Sequence, residues 1–544
     1  MQLGYREVIV AQRQDSPLSS AVHVEWLIAI GEEEVSRTYA AGLASLIFIF
    51  GSHGLARASF PLDQPQTIAQ SGADPLILLP DAVNQLKAGI AERSASTEES
   101  RPEGVWIQGW NNSQQKFRWR VQSPQAGEYS VDLLVSGAPG SQIEIVGPGN
   151  KVSAEISQGN DHWGNNWNKI EASGWLSLPK GSATIIVQSP NPAGISTNNG
   201  AYKGMALVSI ELTERSHKAA INERIQKSRA SAKWLADAHY GLMFQWGEWG
   251  YPQHGEGQPW PGMIDRFNVN KFADMVQSTG AGYVIWSATW RTYYFGAPIQ
   301  AIERILPGRT SKRDLVGEIA DALNRRGIKL ILYYHCGFGD REWSVRNFGT
   351  TDPNSVGTDS LFRKNWISII TEVGQRYGSR LAGWVIDEGW YPSPFEEQGK
   401  ALKAGYPGRI IAFNDWVRPR LTEFQDFEFG EAFNGLNDGA GKLFPDGPPA
   451  GGDGVYVQGP HKGLQAHGMF ILDGAGYGPE WGIWQPDTTI AKPLYTAEQI
   501  IRMAKNAKEH KVPLSFNLLM YEDGSVSPDS LEAVRLFGKT LREE

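Results

Sequence analysis

Ile328-Lys329-Leu330-Ile331-Leu332-Tyr333-Tyr334-His335 and Gly383-Trp384-Val385-Ile386-Asp387-Glu388 decide the fold of this chain. Each is a short apolar run that ends in an ionisable side chain. A strand buried on both faces reads this way, and such strands belong to parallel sheets covered by helices. Between the two runs, Leu361–Tyr377 has helical spacing.

The same alternation continues on both sides. Tyr240–Trp246 and Gly282–Ala288 read as earlier strands, with a helix over Val269–Ser278 between them. A second helix, Lys312–Arg326, stops at Gly327. Arg409–Asn414, the weaker Phe427–Gly430, Gly468–Asp473 and Pro513–Leu519 follow as strands, and Thr496–Glu509 and Ser527–Arg542 as helices. Eight strands with intervening helices over 238–544 predict a (β/α)8 TIM barrel. The connection through Asn434–Gly468 is long and Gly-rich.

Upstream, the period changes to two. Phe117, Trp119 and Val121 alternate with polar residues, as do Tyr129, Val131, Leu133 and Val135. The run Gly174-Trp175-Leu176-Ser177-Leu178-Pro179-Lys180-Gly181 leads into Ala183–Val187. Short alternating strands between turn residues predict an all-β sandwich over 105–213. Its closing hairpin and element order resemble carbohydrate-binding jelly-roll modules. Trp106, Trp110, Trp163 and Trp167 are its candidate contact aromatics. Residues 214–237 lack Pro and Gly and read as a connecting helix.

Residues 59–104 read as a linker with a short helix within Leu76–Glu92. Before them, Ala41–Phe50 is a short apolar run, preceded by Arg37 and followed by Ala56-Arg57-Ala58. That pattern predicts a secretory signal within residues 1–58, displaced from Met1 by an upstream extension. Translation from near Val35 and a mature start near Ser59 would place the protein outside the cytoplasm, secreted or periplasmic. The competing reading is a buried helix.

Composition narrows the function. Net charge is −8 and no long basic run occurs, which argues against nucleic acid as the partner. The apolar run Ala41–Phe50 is too short to span a bilayer comfortably as a helix. The single cysteine, Cys336, excludes an internal disulfide and reads as a buried thiol. No phosphate loop, HExxH motif or paired Cys/His cluster occurs, so neither a metal nor another cofactor is expected. The 20 tryptophans serve large cores and are also flat platforms for sugar rings.

In a barrel the chemistry sits at the C-terminal ends of the strands. Those ends carry Gln245-Trp246, Ala288-Thr289-Trp290, Tyr334-His335, Asp387-Glu388, Asn414-Asp415, Glu431, Asp473 and Asn517. A ring of carboxylates, amides and aromatics is what a sugar site needs.

These pieces resemble, in order, glycoside hydrolase family 29, the α-L-fucosidases. Tyr240–Gly247 is similar to the family's first strand, Phe267–Phe272 to its first-helix entry, and Gly280–Val284 to its second-strand approach. Lys312-Arg313-Asp314-Leu315-Val316-Gly317-Glu318, the Arg326–Tyr334 strand, Gly383–Asp387 and Glu522–Val526 continue the series. The resemblance implies a retaining double displacement on a carbohydrate substrate, with Asp387 as nucleophile. It also implies a downstream Glu as acid/base, for which Glu431 fits and Glu428 and Glu388 compete. Retaining enzymes place the two carboxyls about 5–5.5 Å apart.

The chain departs from the family pattern at the sugar-reading positions. Gln245 stands where the family has His, and Ala288-Thr289-Trp290-Arg291 stands where it has His-His-Asp. Changed hydrogen-bond partners imply a changed or unusually linked sugar. Gln245, His335 and Asn517 are the candidate polar contacts, with Tyr334 beside them; Trp246, Trp290 and Trp390 are the candidate stacking rings. His335 reads equally as a plain core histidine, and Asn517 as a loop-backbone partner. The expected activity is removal of a terminal α-linked sugar. The alternatives are an endo-acting polysaccharide hydrolase and a non-catalytic glycan-binding relative.

Overall fold

The computed structural model describes residues 105–156, 167–194, 204–290, 292–337, 339–348, 361–387, 395–414, 424–429, 453–457, 463–475 and 480–542, with short pieces at 66–67, 76–78, 84–85 and 92–95. All of these fall in one compact unit, Phe60–Glu544. The expected signal within residues 1–58 lies outside them.

Two β-sheets share one apolar core in the N-terminal half. In one, Lys116–Ser123 pairs antiparallel with Gly181–Gln188, which pairs with Gln142–Val146. In the other, Gly127–Ser136 pairs with Trp167–Glu171 and Met205–Glu214. Phe117, Trp119, Val121 and Ile185 from the first meet Val131, Leu133 and Leu212 from the second. Period-two patterning puts these side chains on one face of each strand. The short helix expected within Leu76–Glu92 gives way at Leu76–Leu78 to a strand, because the apolar Leu-Ile-Leu triplet pairs with Ile210–Leu212.

Strand Gly127–Ser136 is buried on both faces, which strict alternation does not foresee. The cause is the helix Arg215–Ser228. Its Lys218 reaches the outward-facing Asp132 at 3.1 Å, and its Arg215 reaches Glu128 at 2.5 Å. The single connecting helix expected over 214–237 is broken into Arg215–Ser228 and Lys233–Asp237. At the break, Ala230 N–H donates to the buried carboxylate of Asp426 at 2.8 Å.

The C-terminal half is built on a curled parallel sheet. Its order is Ile410–Asn414, Leu381–Asp387, Lys329–His335, Tyr283–Ser287, Tyr240–Phe244, Leu514–Asn517 and Gly468–Ile471. These are seven of the eight expected strands. The weak Phe427–Gly430 candidate forms only a bridge to Gln465. It nonetheless hydrogen-bonds to both ends of the order: Asp426 N–H donates to Ile411 O at 2.8 Å, and Glu428 N–H donates to Gln465 O at 3.0 Å.

The curl is visible in one contact. Tyr283 hydroxyl reaches Ser515 Oγ at 2.9 Å across the intervening strand. It passes over Gly241, where a Cβ would lie 2.2 Å from the ring, so glycine is required there. The two faces of the sheet separate by parity. Met243, Ile285, Ile331, Tyr333, Val385, Ala412 and Met469 share the inner cluster. Leu242, Phe244, Trp286, Tyr334, Trp384 and Phe413 share the outer one with the helices.

The helices follow their end signals. Val269–Thr279 is capped by Asn268 and closed by Gly280 at φ 82°. The helix expected from Lys312 starts instead at Leu315, because Asp314 accepts from Gly317 N–H and so caps it. No helix among the described residues is long and apolar enough to cross a membrane.

Candidate active site

Register brings three polar strand ends to one level. Asp387 lies opposite His335 on one neighbour and opposite Asn414 on the other. All three share the parity of the inner cluster. Asn414 Nδ2 donates to Asp387 Oδ1 at 3.0 Å, and Tyr333 hydroxyl donates to Asp387 Oδ2. Asp387 is 4 % exposed, so these neutral donors replace water around a buried carboxylate.

His335 is buried, and its Nδ1 accepts from Gly337 N–H at 2.9 Å. A neutral ring in that arrangement carries its proton on Nε2. The loop after the preceding strand is tied to the same residue: Thr289 Oγ1 donates to His335 O at 2.5 Å and accepts from His335 N–H at 3.0 Å. Those bonds set Trp290, whose ring centre lies 5.1 Å from that of His335 and 5.7 Å from that of Tyr333. Deeper in the loops, Arg309 clamps Asp340 with both terminal nitrogens, at 2.6 and 3.3 Å. Asp340 in turn accepts from Tyr293 and Trp343 N–H, which joins the loops after two adjacent strands.

Gln245 follows the Tyr240–Phe244 strand with inner parity. It is 2 % exposed, and neither its Nε2 nor its Oε1 has a hydrogen-bond partner among the described residues. Leaving such a group unmet costs about 1–3 kcal/mol. Asn517 is fully buried; its Nδ2 donates to Glu480 O and Trp481 O, both at 3.3 Å, while its Oδ1 is unmet.

Other sequence candidates lie elsewhere. Trp246 is 3 % exposed and packs on Phe267 and Trp286, with centroids at 4.7 and 5.6 Å, while its Nε1 donates to Glu522 O. It is core, because it has the outer parity of Phe244 and a ready-made pocket between those rings. Tyr334 also has outer parity: its hydroxyl meets Tyr293 hydroxyl at 2.8 Å, and burial pushes it far above the usual phenol range. Asp473 turns toward the last helix, accepting from Ser530 Oγ at 2.5 Å and Leu519 N–H at 2.9 Å. Burial raises it to about 6. Trp110, offered as a sugar contact, is fully buried edge-on to Phe117.

Phe427 and Phe429 belong to the inner cluster, so Glu428 between them faces the other way. There it accepts from Tyr456 hydroxyl at 2.8 Å. Glu431, Glu388 and Trp390 lie outside the described residues, as do Trp163 and the side chains of Trp106 and Trp167. Cys336 is a buried thiol. Among the described residues no group of three or more His, Cys, Asp or Glu side chains is placed to hold a metal ion.

Asn414 is named among the strand ends without a role, and Tyr333 is not named as a site residue. Counting back by two from His335 and Asp387 along their strands, and reading the neighbouring strand at the same level, finds both.

Residues 263–431 match the α-L-fucosidase family model. No curated protein matches the chain. Among solved structures, an α-L-fucosidase from Lactobacillus casei in complex with α-L-fucose product is 14 % identical, over 59 % of this chain and 99 % of that one, with a TM-score of 0.40. An α-L-fucosidase from Bacteroides thetaiotaomicron is 18 % identical, over 57 % of this chain and 73 % of that one, also with a TM-score of 0.40. The family match supports a glycoside hydrolase enzyme.

Proposed function

We propose that the protein is a retaining glycosidase that removes a terminal α-linked sugar, L-fucose or a close relative, from a carbohydrate substrate. The reading is carried by Asp387: a buried strand-end carboxylate held by Tyr333 and Asn414, on the inner face of a sheet within the region that matches the fucosidase family. The sheet is proposed to close as a (β/α)8 barrel, with the Phe427 segment supplying the eighth strand.

The chemistry is a double displacement. An Asp387 oxygen attacks the anomeric carbon while the bond to the leaving oxygen breaks, and the acid gives that oxygen its proton. Water then attacks the same carbon, the carbon–Asp387 bond breaks, and the water's proton returns to the base. Glu428 faces away from the inner cluster and accepts from Tyr456 hydroxyl, so Glu431, the residue the family resemblance implies, is our acid/base. Gln245 and Asn517 Oδ1 supply hydrogen bonds to sugar hydroxyls, His335 lines the same face, and Trp290 supplies a ring face. With Gln245 in place of an imidazole, hydroxyl recognition differs from that of the family pattern. The two-sheet module is proposed to be a carbohydrate-binding jelly-roll, and the protein to act outside the cytoplasm.

The test is turnover of aryl α- and β-glycosides, beginning with the α-L-fucoside, by the wild type and by Asp387→Asn. Activity on one glycoside that the substitution abolishes supports the reading. Equal activity in both proteins overturns the assignment of Asp387, and silence of the wild type on every glycoside and on fucosylated oligosaccharides overturns the function.

A further inference from the structure

Beyond the residues that face Asp387, three indoles gather on one side of the site. Trp290 lies against Tyr333 and His335 as described. Trp484 stacks on Trp290, with planes 18° apart and centroids at 6.2 Å. Trp249 meets Trp290 from another direction at 6.4 Å. Unlike Trp246, all three keep part of their surface open to solvent. Clustered half-exposed aromatic surface beside a site marks a place where a partner molecule is bound.

Each indole is held in place rather than loosely exposed. Trp484 Nε1 donates to Glu480 Oε2 at 2.8 Å, and the Glu480 and Trp481 carbonyls are in turn held by Asn517 Nδ2. The stack is therefore tied to the same amide whose free Oδ1 belongs to the site. The near-parallel rings stand too close for a sugar to enter between them, since stacking on both faces needs about twice the usual 3.5–4.0 Å contact. They form one continued surface. Trp249 Nε1 is buried and unmet among the described residues, an orphan donor beside that surface. The nearby carboxylates are Glu248, which accepts from Thr292 Oγ1 at 2.5 Å, and Glu480. Their charge disfavours a uronate or a sulfated sugar there.

We propose that Trp290 and Trp484 form a continuous platform for the sugar on the leaving-group side, with Trp249 Nε1 donating to one of its hydroxyls. The preferred substrate is then a neutral glycan extended beyond the cleaved residue, not a simple glycoside. This rests on the glycosidase reading above. Trp290 serves both subsites, at the ring nearest Asp387 and at the start of the platform, whereas Trp484 serves only the second.

The experiment compares kcat/KM on α-L-fucosyl fluoride, whose leaving group has no ring, with that on a neutral α-L-fucosyl disaccharide. The proposal expects the disaccharide-to-fluoride ratio to fall about three- to tenfold in Trp484→Ala, mainly through KM, and to recover in Trp484→Phe, which keeps a ring to stack. A ratio equal to that of the wild type overturns the platform, as does failure of Trp484→Phe to restore it, while leaving the glycosidase reading intact. A wild type silent on both substrates and on every aryl glycoside overturns the two together.

Discussion

Asn414 and Asp387 meet side by side at the ends of adjacent parallel strands, the amide of one donating to the carboxylate of the other at 3.0 Å. Tyr333 occupies the second carboxylate oxygen from the opposite neighbour. The carboxylate is thereby fixed in orientation by two neutral donors. A fixed, charged oxygen is what attack on an anomeric carbon requires. Replacing Asp387 with Gly is expected to lower turnover at least about 10³-fold. Added azide should restore part of it and yield the glycosyl azide of inverted configuration, because azide attacks from the vacated side. Restoration with retained configuration would place the nucleophile elsewhere.

Tyr333→Phe removes one hydrogen-bond donor from the buried carboxylate of Asp387. A drop in kcat of about 10–100-fold is expected, with a smaller change in KM. The inner ring of the strand is otherwise kept, so the thermal midpoint should move little. If kcat is unchanged while the midpoint falls, Tyr333 is a packing residue only.

The strand-and-helix alternation was legible because each parallel strand is a bounded apolar run, and seven of the eight expected runs are strands of one sheet. Position along the strand was legible too, since polar residues mark the ends. Facing is less legible. Tyr334 and His335 both carry polar side chains at a strand end, yet neighbours on a strand point to opposite sides, so only His335 shares the face of Asp387. The same alternation separates Trp246 from Gln245. A tryptophan after a strand suggests a sugar platform, and only the packing of Phe267 and Trp286 shows where its ring goes. Trp249 and Trp484 lie in loops, whose residues carry no periodicity that points them anywhere.

Gln245 couples recognition to stability. Its amide is buried with both ends unmet among the described residues, so the folded protein without ligand bears its desolvation. Gln245→Leu has similar volume and no polar atoms. It is expected to raise stability by about 1–2 kcal/mol in denaturant titration while raising KM at least about tenfold. A destabilised Gln245→Leu would mean that the amide is already satisfied in the protein, and would remove the argument that it awaits a sugar hydroxyl.

His467 and Asp473 pull the pH dependence of stability in opposite directions. Burial lowers His467 to about 4 from an ordinary 6.5, while its ring bonds Phe429 O and Ser515 Oγ. The unfolded chain then binds a proton that the folded one refuses, so its contribution is full above about 6.5 and is lost as pH falls toward 4. Burial raises Asp473 to about 6 from an ordinary 3.8. Here the folded state keeps a proton that the unfolded chain releases, so its contribution is full below 3.8 and is lost as pH rises through 6. Each displacement is worth on the order of 3 kcal/mol, and the two windows overlap. For this pair, stability between pH 4 and 6 should be nearly flat, the rise from His467 offsetting the fall from Asp473. Single substitutions separate them. In Asp473→Asn, stability should climb with pH across that range, since only the histidine still titrates; in His467→Gln it should decline. Denaturant midpoints at intervals from pH 4 to 6.5 read both slopes. Parallel slopes in the two variants would mean that neither buried group titrates in this range.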